Sequence, residues 1–344
     1  MKNLVIGDLV AKIPIIQGGM GVGISLHKLA AAVAREGGIG VISAAQPGFR
    51  EPDFYTNTFE ANMRALEREI KLAKKESNGG IIGVNIMVAV THYEDFVKCC
   101  IDNGADIIIS GAGLPMDLPK FAAGSDIKLA PIVSSAKACK VIFSRWVKKY
   151  NRLPDLLVIE GPKAGGHLGF KAEEVLSIDN FDDEILKIIE TKKEFEQKYN
   201  KTIPVVFGGG VYSKEDVNHC INDLGLDGVQ MATRFVATEE CDADIAFKEA
   251  YVNAKLEDVK IVKSPVGINN HFIKDIVPEG CKISRCFKCL VHCDPKTIPY
   301  CISQALFNGA NGDIDNALVF CGENVYKIDK ISTVKDIIDE VLER

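Results

Sequence analysis

A short apolar run, Leu156–Glu160, is followed in this chain by the segment Gly161-Pro162-Lys163-Ala164-Gly165-Gly166-His167-Leu168-Gly169. The run is typical of a buried strand, and the glycines after it let the backbone approach a bound group because they lack a Cβ atom. A histidine directly after paired glycines is placed to hold or transfer a proton. The segment therefore predicts a strand that ends at a binding site, with His167 as the candidate catalytic residue. A plain glycine turn with an exposed histidine is the alternative.

The same sequence of features, an apolar run and then a small or polar residue, occurs eight times. The runs are Ile13–Ile16, Gly40–Ser43, Ile81–Met87, Asp106–Ser110, Lys128–Val133, Leu156–Glu160, Ile203–Phe207 and Asp227–Met231. Between them lie amphipathic stretches that predict helices: Leu26–Glu36, Thr58–Ser77, Tyr93–Asn103, Ala136–Tyr150, Asp183–Tyr199 and Ser213–Leu224. Apolar runs without alternation are typical of parallel strands covered on both faces. Eight such units predict an α/β fold, a (β/α)8 TIM barrel, with an open doubly wound sheet as the alternative.

The residues just after the runs are the site candidates, because the carboxyl ends of barrel strands meet at one rim. They are Gln17–Gly21, Ser43–Ala44, Asn85, Ser110–Gly113, Ser134–Ser135, Glu160–Gly169, Gly208–Gly210 and Gln230–Thr233. Glycine or a small polar residue stands at nearly every one. Each position alone is weak evidence, and their joint occurrence predicts a site at this rim.

One side of the rim has the features of a phosphate site. Gly208-Gly209-Gly210 follows the seventh run, and consecutive glycines expose backbone N–H groups that can hold oxyanions. Ala232-Thr233 follows the eighth run and offers a hydroxyl and further N–H groups. Barrel enzymes often hold a phosphate between these two loops. A flexible turn is the alternative for the glycines.

A phosphorylated cofactor with its reactive part near His167 suits this arrangement, and flavin mononucleotide (FMN) is such a cofactor. Its ring would lie over the first loop, which contains Gly19, Met20 and Gly21, with Asn85 bonded to the polar edge of the ring. Gly165 and Gly166 would allow close approach from the other side. The glycines from residue 18 to residue 23 lack the spacing of a dinucleotide fingerprint, which excludes a Rossmann site.

Four motifs resemble those of the nitronate monooxygenases, formerly called 2-nitropropane dioxygenases. They are Ile13-Pro14-Ile15-Ile16-Gln17-Gly18-Gly19-Met20, Gly83-Val84-Asn85-Ile86-Met87, Ala164-Gly165-Gly166-His167-Leu168-Gly169 and Val229-Gln230-Met231-Ala232-Thr233-Arg234-Phe235. The flavin-dependent enoyl-acyl-carrier-protein reductases share this fold and these motifs. The resemblance covers residues 3 to 255 well and the remaining residues more loosely.

The resemblance implies a flavoprotein oxidoreductase, a TIM barrel that binds FMN, with His167 as the catalytic histidine. The implied FMN contacts are Asn85, Glu160, Gly165, Gly209, Gln230, Met231, Ala232 and Thr233. Two positions depart from the family pattern. Ala232 stands where glycine is usual, which places a methyl group beside the phosphate. Glu160 stands where many nitronate monooxygenases have glutamine, and a glutamate there is similar to the enoyl reductase branch.

Two chemistries are implied for this site. As a nitronate monooxygenase, the protein would oxidise alkyl nitronates with O2 to carbonyl compounds and nitrite, and His167 would position the substrate or act as base. As an enoyl reductase of fatty-acid synthesis, it would pass electrons from NAD(P)H through FMN to an enoyl thioester. Docking an acidic carrier protein would then need a basic patch, for which Lys282, Arg285 and Lys288 are candidates. A flavin-binding protein without catalysis is the third hypothesis, and His167 argues against it.

The sequence divides into a predicted barrel domain, residues 1–255, and a C-terminal extension, residues 256–344. The extension contains Cys281-x4-Cys286-x2-Cys289-x3-Cys293, which predicts ligands for zinc or an iron–sulfur cluster. Reduced thiols and a disulfide are the alternatives. The extension ends in a predicted amphipathic helix, Ser332–Leu342, with Ser332 as its cap.

Composition excludes several classes of protein. A net charge of −6 and an isoelectric point near 5.6 argue against a general binder of nucleic acid or of anionic membranes. No apolar run approaches the length of a membrane span, and residues 1–12 lack the apolar core of a secretory signal. We therefore expect a cytoplasmic protein whose partners are small molecules. The oligomeric state stays open, with a homodimer as one alternative.

Overall fold

The computed structural model describes residues 2–166, 169–170, 175, 178, 180–263, 269–272, 283 and 285–344. Eight parallel strands close into a barrel, and the eighth strand pairs with the first through Val229 and Ile15. The strands are Ile15–Gln17, Ile39–Ser43, Ile81–Met87, Ile107–Gly111, Lys128–Val133, Leu157–Glu160, Val205–Gly208 and Gly228–Met231. Each one overlaps a predicted apolar run, with ends that differ by up to two residues, and the TIM-barrel prediction is confirmed.

Helices surround the barrel on the outside. Their bounds are His27–Arg35, Thr58–Glu76, Tyr93–Asp102, Leu118–Phe121, Ala136–Tyr150, Asp182–Tyr199, Lys214–Asn218, Thr233–Val236, Ile245–Val252, Ile302–Ala310 and Val334–Leu342. Ser213 caps the helix Lys214–Asn218 by accepting a bond from the Asp216 N–H at 3.3 Å, and that helix continues as a π-helical turn, His219–Asp223. Within the described ranges, no helix combines the length and the apolar character that crossing a bilayer requires.

The barrel interior is filled by inward-facing branched side chains such as Ile16, Val41 and Ile109. A two-stranded hairpin, Leu4–Ile6 with Leu9–Ala11, precedes the barrel and adds its own buried side chains to this interior cluster. The hairpin covers the amino-terminal ends of the strands, where its Asp8 pairs with Lys128 at the start of the fifth strand. One end of the barrel is thus closed by apolar packing, which leaves the opposite rim for a site.

The C-terminal residues return to the barrel. Lys260–Lys263 pairs with Asn269–Phe272 in an antiparallel ribbon, and the last helix, Val334–Leu342, packs between the helices His27–Arg35 and Lys214–Asn218. It therefore occupies the place of the eighth helix in the ring. Its cap is Thr333, whose hydroxyl accepts the Asp336 N–H at 3.1 Å, and the prediction of Ser332 as cap was wrong by one residue. The division of the chain after residue 255 stays a prediction.

Arg234 fixes this last helix to the barrel. It is 9% exposed, and its guanidinium donates to both oxygens of Glu340, at 3.1 and 2.7 Å, and to the Tyr212 carbonyl at 3.1 Å. The planar guanidinium also lies 4.6 Å from the Tyr212 ring centroid. Arg234 thus has a structural role that links the eighth strand end to the C-terminus.

Gly40 provides a test of how closely the first helix packs on the second strand. A Cβ atom at residue 40 would lie 1.8 Å from the Ala30 carbonyl oxygen, a backbone atom that cannot move aside alone. We expect Gly40→Ala to lower the free energy of unfolding by about 3 kcal/mol or more. The control is Gly83→Ala, whose Cβ would lie 3.0 Å from a side-chain methyl of Ile107, which can shift. Urea unfolding of both variants measures the difference, and equal losses would contradict this account of the packing.

Candidate active site

A cavity of about 230 Å³ opens at the carboxyl ends of the barrel strands. All the residues predicted to bind a cofactor line it, although they come from five separate strand ends. They are Gly19, Met20, Gly21, Asn85, Glu160, Gly165, Gly166, Gly208, Gly209, Gly210, Gln230, Met231, Ala232 and Thr233. The structure therefore brings these residues together at one rim, and their binding of FMN remains a prediction.

The loop after the first strand is held tightly against its neighbours. The Gly18 N–H donates to the Met231 carbonyl at 2.8 Å, and the buried Gln17 side chain accepts the Val41 N–H at 2.9 Å. A Cβ atom at Gly19 would lie 2.3 Å from the Cβ of Asn85. A glycine at residue 19 thus lets the loop rest directly on Asn85.

The opposite side of the cavity is built from backbone. Gly209 and Gly210 have φ angles of +130° and +101°, a region that favours glycine. A Cβ atom at Gly209 would lie 2.8 Å from the Gly161 nitrogen, and the Gly161 N–H donates to the Gly208 carbonyl at 2.7 Å. The backbone segments after the sixth and seventh strands are therefore joined directly, and consecutive glycines of this kind can bind oxyanions through their N–H groups.

Gln230 carries an unsatisfied polar atom in this cavity. Its Oε1 is buried, and within the described residues it has no hydrogen-bond partner. Buried polar atoms are nearly always paired, because an unpaired one costs about 1–3 kcal/mol. The side chain is therefore arranged to accept a hydrogen bond from a bound group.

Glu160 is the titratable group at the end of the sixth strand. Burial raises the pKa of its carboxyl to about 8, and no described residue donates a hydrogen bond to it. At neutral pH the Glu160 carboxyl is consequently mostly protonated. A protonated carboxyl can donate one hydrogen bond and accept another, whereas an ionised carboxylate can only accept.

The raised pKa of Glu160 predicts a pH dependence of stability. The folded pKa lies above the unfolded value near 4.5, so the stabilisation is full below pH 4.5 and is lost as the pH rises through 8. The free energy of unfolding of the flavin-free protein should fall across this range, relative to Glu160→Gln, by at most about 1.4 kcal/mol per pH unit. Urea unfolding of both proteins between pH 5 and 9 measures it. Parallel curves would contradict the raised pKa.

One wall of the cavity comes from residues 321–324, which the sequence alone did not reveal. The Gly322 N–H donates to Thr233 Oγ1 at 2.9 Å, and the Asn324 side chain donates to the Gly210 carbonyl at 2.7 Å. The Glu323 N–H donates to the Lys163 carbonyl at 3.2 Å. This segment thus joins the loops after the sixth, seventh and eighth strands. The Gly322-Glu323-Asn324 sequence, a glycine followed by two polar residues, was the available signal.

The predictions for the catalytic residue and for the metal ligands differ in outcome from those for the cofactor-binding residues. His167, the predicted catalytic residue, lies outside the described residues, although Gly166 before it lines the cavity. Of the predicted metal ligands, Cys281 also lies outside, whereas Cys286 is exposed and Cys289 and Cys293 are partly buried. The part of the chain that the structure describes contains no group of three His, Cys, Asp or Glu side chains that could hold a metal ion. The zinc or iron–sulfur prediction is therefore unsupported.

Comparisons with known proteins identify the family and the fold of this chain. A family model described as nitronate monooxygenase matches residues 3–344. A protein described as a probable nitronate monooxygenase from Staphylococcus aureus (strain Newman) is 25% identical over 299 residues, which cover 80% of each chain. Two solved structures share the fold. FabK from Thermotoga maritima has a TM-score of 0.73 at 24% identity, over 96% of this chain and 92% of that one. Nitroalkane oxidase from Streptomyces ansochromogenes has a TM-score of 0.71 at 16% identity, over 96% and 95%.

Proposed function

Since this chain belongs to the nitronate monooxygenase family, we propose that it oxidises alkyl nitronates with O2 to carbonyl compounds and nitrite, with FMN bound at the barrel rim. The observation that carries the proposal is the convergence of the family motifs on one cavity. Residues from the first, third, sixth, seventh and eighth strand ends all line it. The proposed substrate class is therefore that of anionic alkyl nitronates.

The residues present fit FMN. The unpaired Gln230 Oε1 offers an acceptor, and the glycine surface of Gly208, Gly209 and Gly210 offers N–H groups to a phosphate. Gly19 and Asn85 lie in contact and both line the cavity, so a planar ring would rest on these two residues. When bound there, FMN would supply the electron transfer between nitronate and oxygen. Glu160, protonated at neutral pH, would hold a polar group of the cofactor by donating a hydrogen bond.

We assign the proton chemistry to His167. A protonated imidazole would hydrogen-bond the oxygens of a bound nitronate, and a neutral one would accept the α-proton of a nitroalkane. Either function requires the side chain to reach the cavity that Gly166 lines. The apolar wall formed by Phe247, Leu306 and Leu318 would exclude water from the substrate carbon.

The proposal is tested by assaying the FMN-loaded protein in air with ethyl nitronate. We expect nitrite to form together with oxygen consumption, and no nitrite to form with the flavin-free protein. Nitroethane, the neutral acid form of ethyl nitronate, is the matched substrate. We expect it to form nitrite more slowly, because its α-proton must first be removed. Absence of nitrite from the FMN-loaded protein would overturn the proposed function.

A second candidate function is the FMN-dependent enoyl reductase with NAD(P)H as electron donor. The observation that favours it is Glu160, since a glutamate at this position is similar to that branch. The two candidates differ in what reduces the flavin. Reduction by NADH or NADPH, together with no reaction with ethyl nitronate, would favour the reductase.

A further inference from the structure

A second cavity, of about 390 Å³, adjoins the first. The two share four lining residues, which are Val22, Ala45, Met87 and Leu306. The second cavity extends from these residues towards solvent between the loop after the third strand and residues 285–290. Its volume is within the range of small-molecule sites. A group that begins at the flavin side could therefore continue into the second cavity.

Most of this second cavity has apolar walls. Val90, Phe96 and Phe287 are buried and line it, and Phe287 packs against Phe54 with ring centroids 5.5 Å apart. An apolar wall favours a hydrocarbon chain because burial removes the chain from water. The interior therefore suits an alkyl group that extends beyond the first cavity.

The solvent end of the cavity is cationic. Arg285 and Lys288 are exposed and line it, and neither has an ion pair within the described part of the chain. His92 also lines it, with its ring 4.3 Å from that of Phe59 and its Nδ1 3.4 Å from Asp95. The described lining contains no aspartate or glutamate. An anionic group would thus meet two cations and, among the described lining residues, no opposing carboxylate.

The backbone that carries these cations is fixed to the barrel. The Thr91 N–H donates to the Cys289 carbonyl at 3.1 Å, and the Thr91 hydroxyl donates to the Lys288 carbonyl at 2.7 Å. The Val291 N–H donates to the Ala89 carbonyl at 2.9 Å. These bonds join residues 288–291 to the loop that leaves the third strand, which carries Asn85. The cationic end therefore has a defined position relative to the first cavity.

We propose that the second cavity binds the distal part of the substrate, an apolar chain that ends in an anionic group held by Arg285 and Lys288. That the reacting head group is a nitronate rests on the proposed function. The substrate would then be a nitronate on a medium-length alkyl chain, with a carboxylate or phosphate at the far end of the chain. Arg285 suits both anions because its planar guanidinium can bond two oxygens at once.

Binding of unreactive chains to the FMN-loaded protein tests this assignment. The probes are octanoate and decanoate, decyl phosphate, and the neutral 1-decanol, measured by isothermal titration calorimetry. We expect about fourfold tighter binding per added methylene. We also expect about tenfold preference for the chains with an anionic end over decanol. The ratio of decanoate to decyl phosphate identifies which anion the site prefers.

The double variant Arg285→Gln/Lys288→Gln should lose the preference for the anionic chains and keep the dependence on chain length. The matched control is Lys140→Gln/Lys148→Gln, which removes two exposed cations from the helix Ala136–Tyr150, away from both cavities. That control should bind as the unmodified protein does. An unchanged preference in the first double variant, or no binding of decanoate, would overturn the assignment.

Kinetics separate this inference from the proposed function. The kcat/KM for the nitronate of 8-nitrooctanoate should fall about tenfold in the Arg285→Gln/Lys288→Gln variant, and that for the nitronate of 1-nitrooctane should not change. Oxidation of nitronates without a preference for the anionic chain would leave the proposed function intact and overturn the second cavity as a substrate site. Binding of decanoate that depends on Arg285 and Lys288, without any nitronate oxidation, would support the cavity and overturn the proposed function.

Discussion

Replacing His167 with alanine is expected to lower kcat for nitroethane oxidation by about 100- to 10,000-fold, the usual contribution of a positioned acid or base. FMN should stay bound, because the glycine surface and Gln230 that would hold it are unchanged. The loss should be smaller for ethyl nitronate, which has already lost its α-proton. Nitrite production measures kcat, and the absorbance of the purified variant measures its flavin content.

The matched control for His167→Ala is His219→Ala. His219 is exposed on the outer surface of the barrel, where its ring nitrogens lie 3.0 Å from Asp182 and 3.0 Å from Asp223. Its removal should leave kcat unchanged. Full turnover by a His167→Ala protein that retains FMN would show that this histidine is not the catalyst.

Replacing Gly19 with alanine is expected to raise the Kd for FMN by about 10- to 100-fold, which corresponds to the 1–3 kcal/mol that overpacking costs. The new Cβ would lie 2.3 Å from the Cβ of Asn85, so the loop and Asn85 must separate. That separation displaces both surfaces against which the ring would rest. Fluorescence titration of the flavin-free protein with FMN measures the Kd.

The control for Gly19→Ala is Gly18→Ala in the same loop. A Cβ atom at residue 18 would meet Ala232 Cβ at 3.3 Å, a tight contact that a small shift relieves. We expect less than a threefold change in Kd for this variant, within the tolerance of small core adjustments. FMN affinity that is unchanged by Gly19→Ala would mean that the flavin does not lie on this loop.

The barrel was predictable because each of its strands is covered on both faces and is therefore apolar throughout. That pattern needs only a few residues, as in Leu157–Glu160, to indicate a buried parallel strand. The lining of the first cavity was predictable for a related reason. Barrel topology brings all strand ends to one rim, so Asn85, Glu160 and Gly209 meet there although they are far apart in sequence.

Other features depend on contacts that no local pattern encodes. The hairpin strands Leu4–Ile6 and Leu9–Ala11 are three residues each, too short for a periodic signal. Residues 321–324 reach the cavity only through bonds to loops about 90 to 160 residues earlier, such as the one from Gly322 to Thr233. The amphipathic pattern of Val334–Leu342 predicted a helix, but its place in the ring depends on Arg234 and the helices beside it.

The most direct measurement is anaerobic stopped-flow mixing of the FMN-loaded protein separately with ethyl nitronate, NADH and NADPH, followed by flavin absorbance. We expect rapid bleaching by the nitronate and recovery of the absorbance when oxygen is admitted. Bleaching by a nicotinamide nucleotide with no response to the nitronate would contradict it.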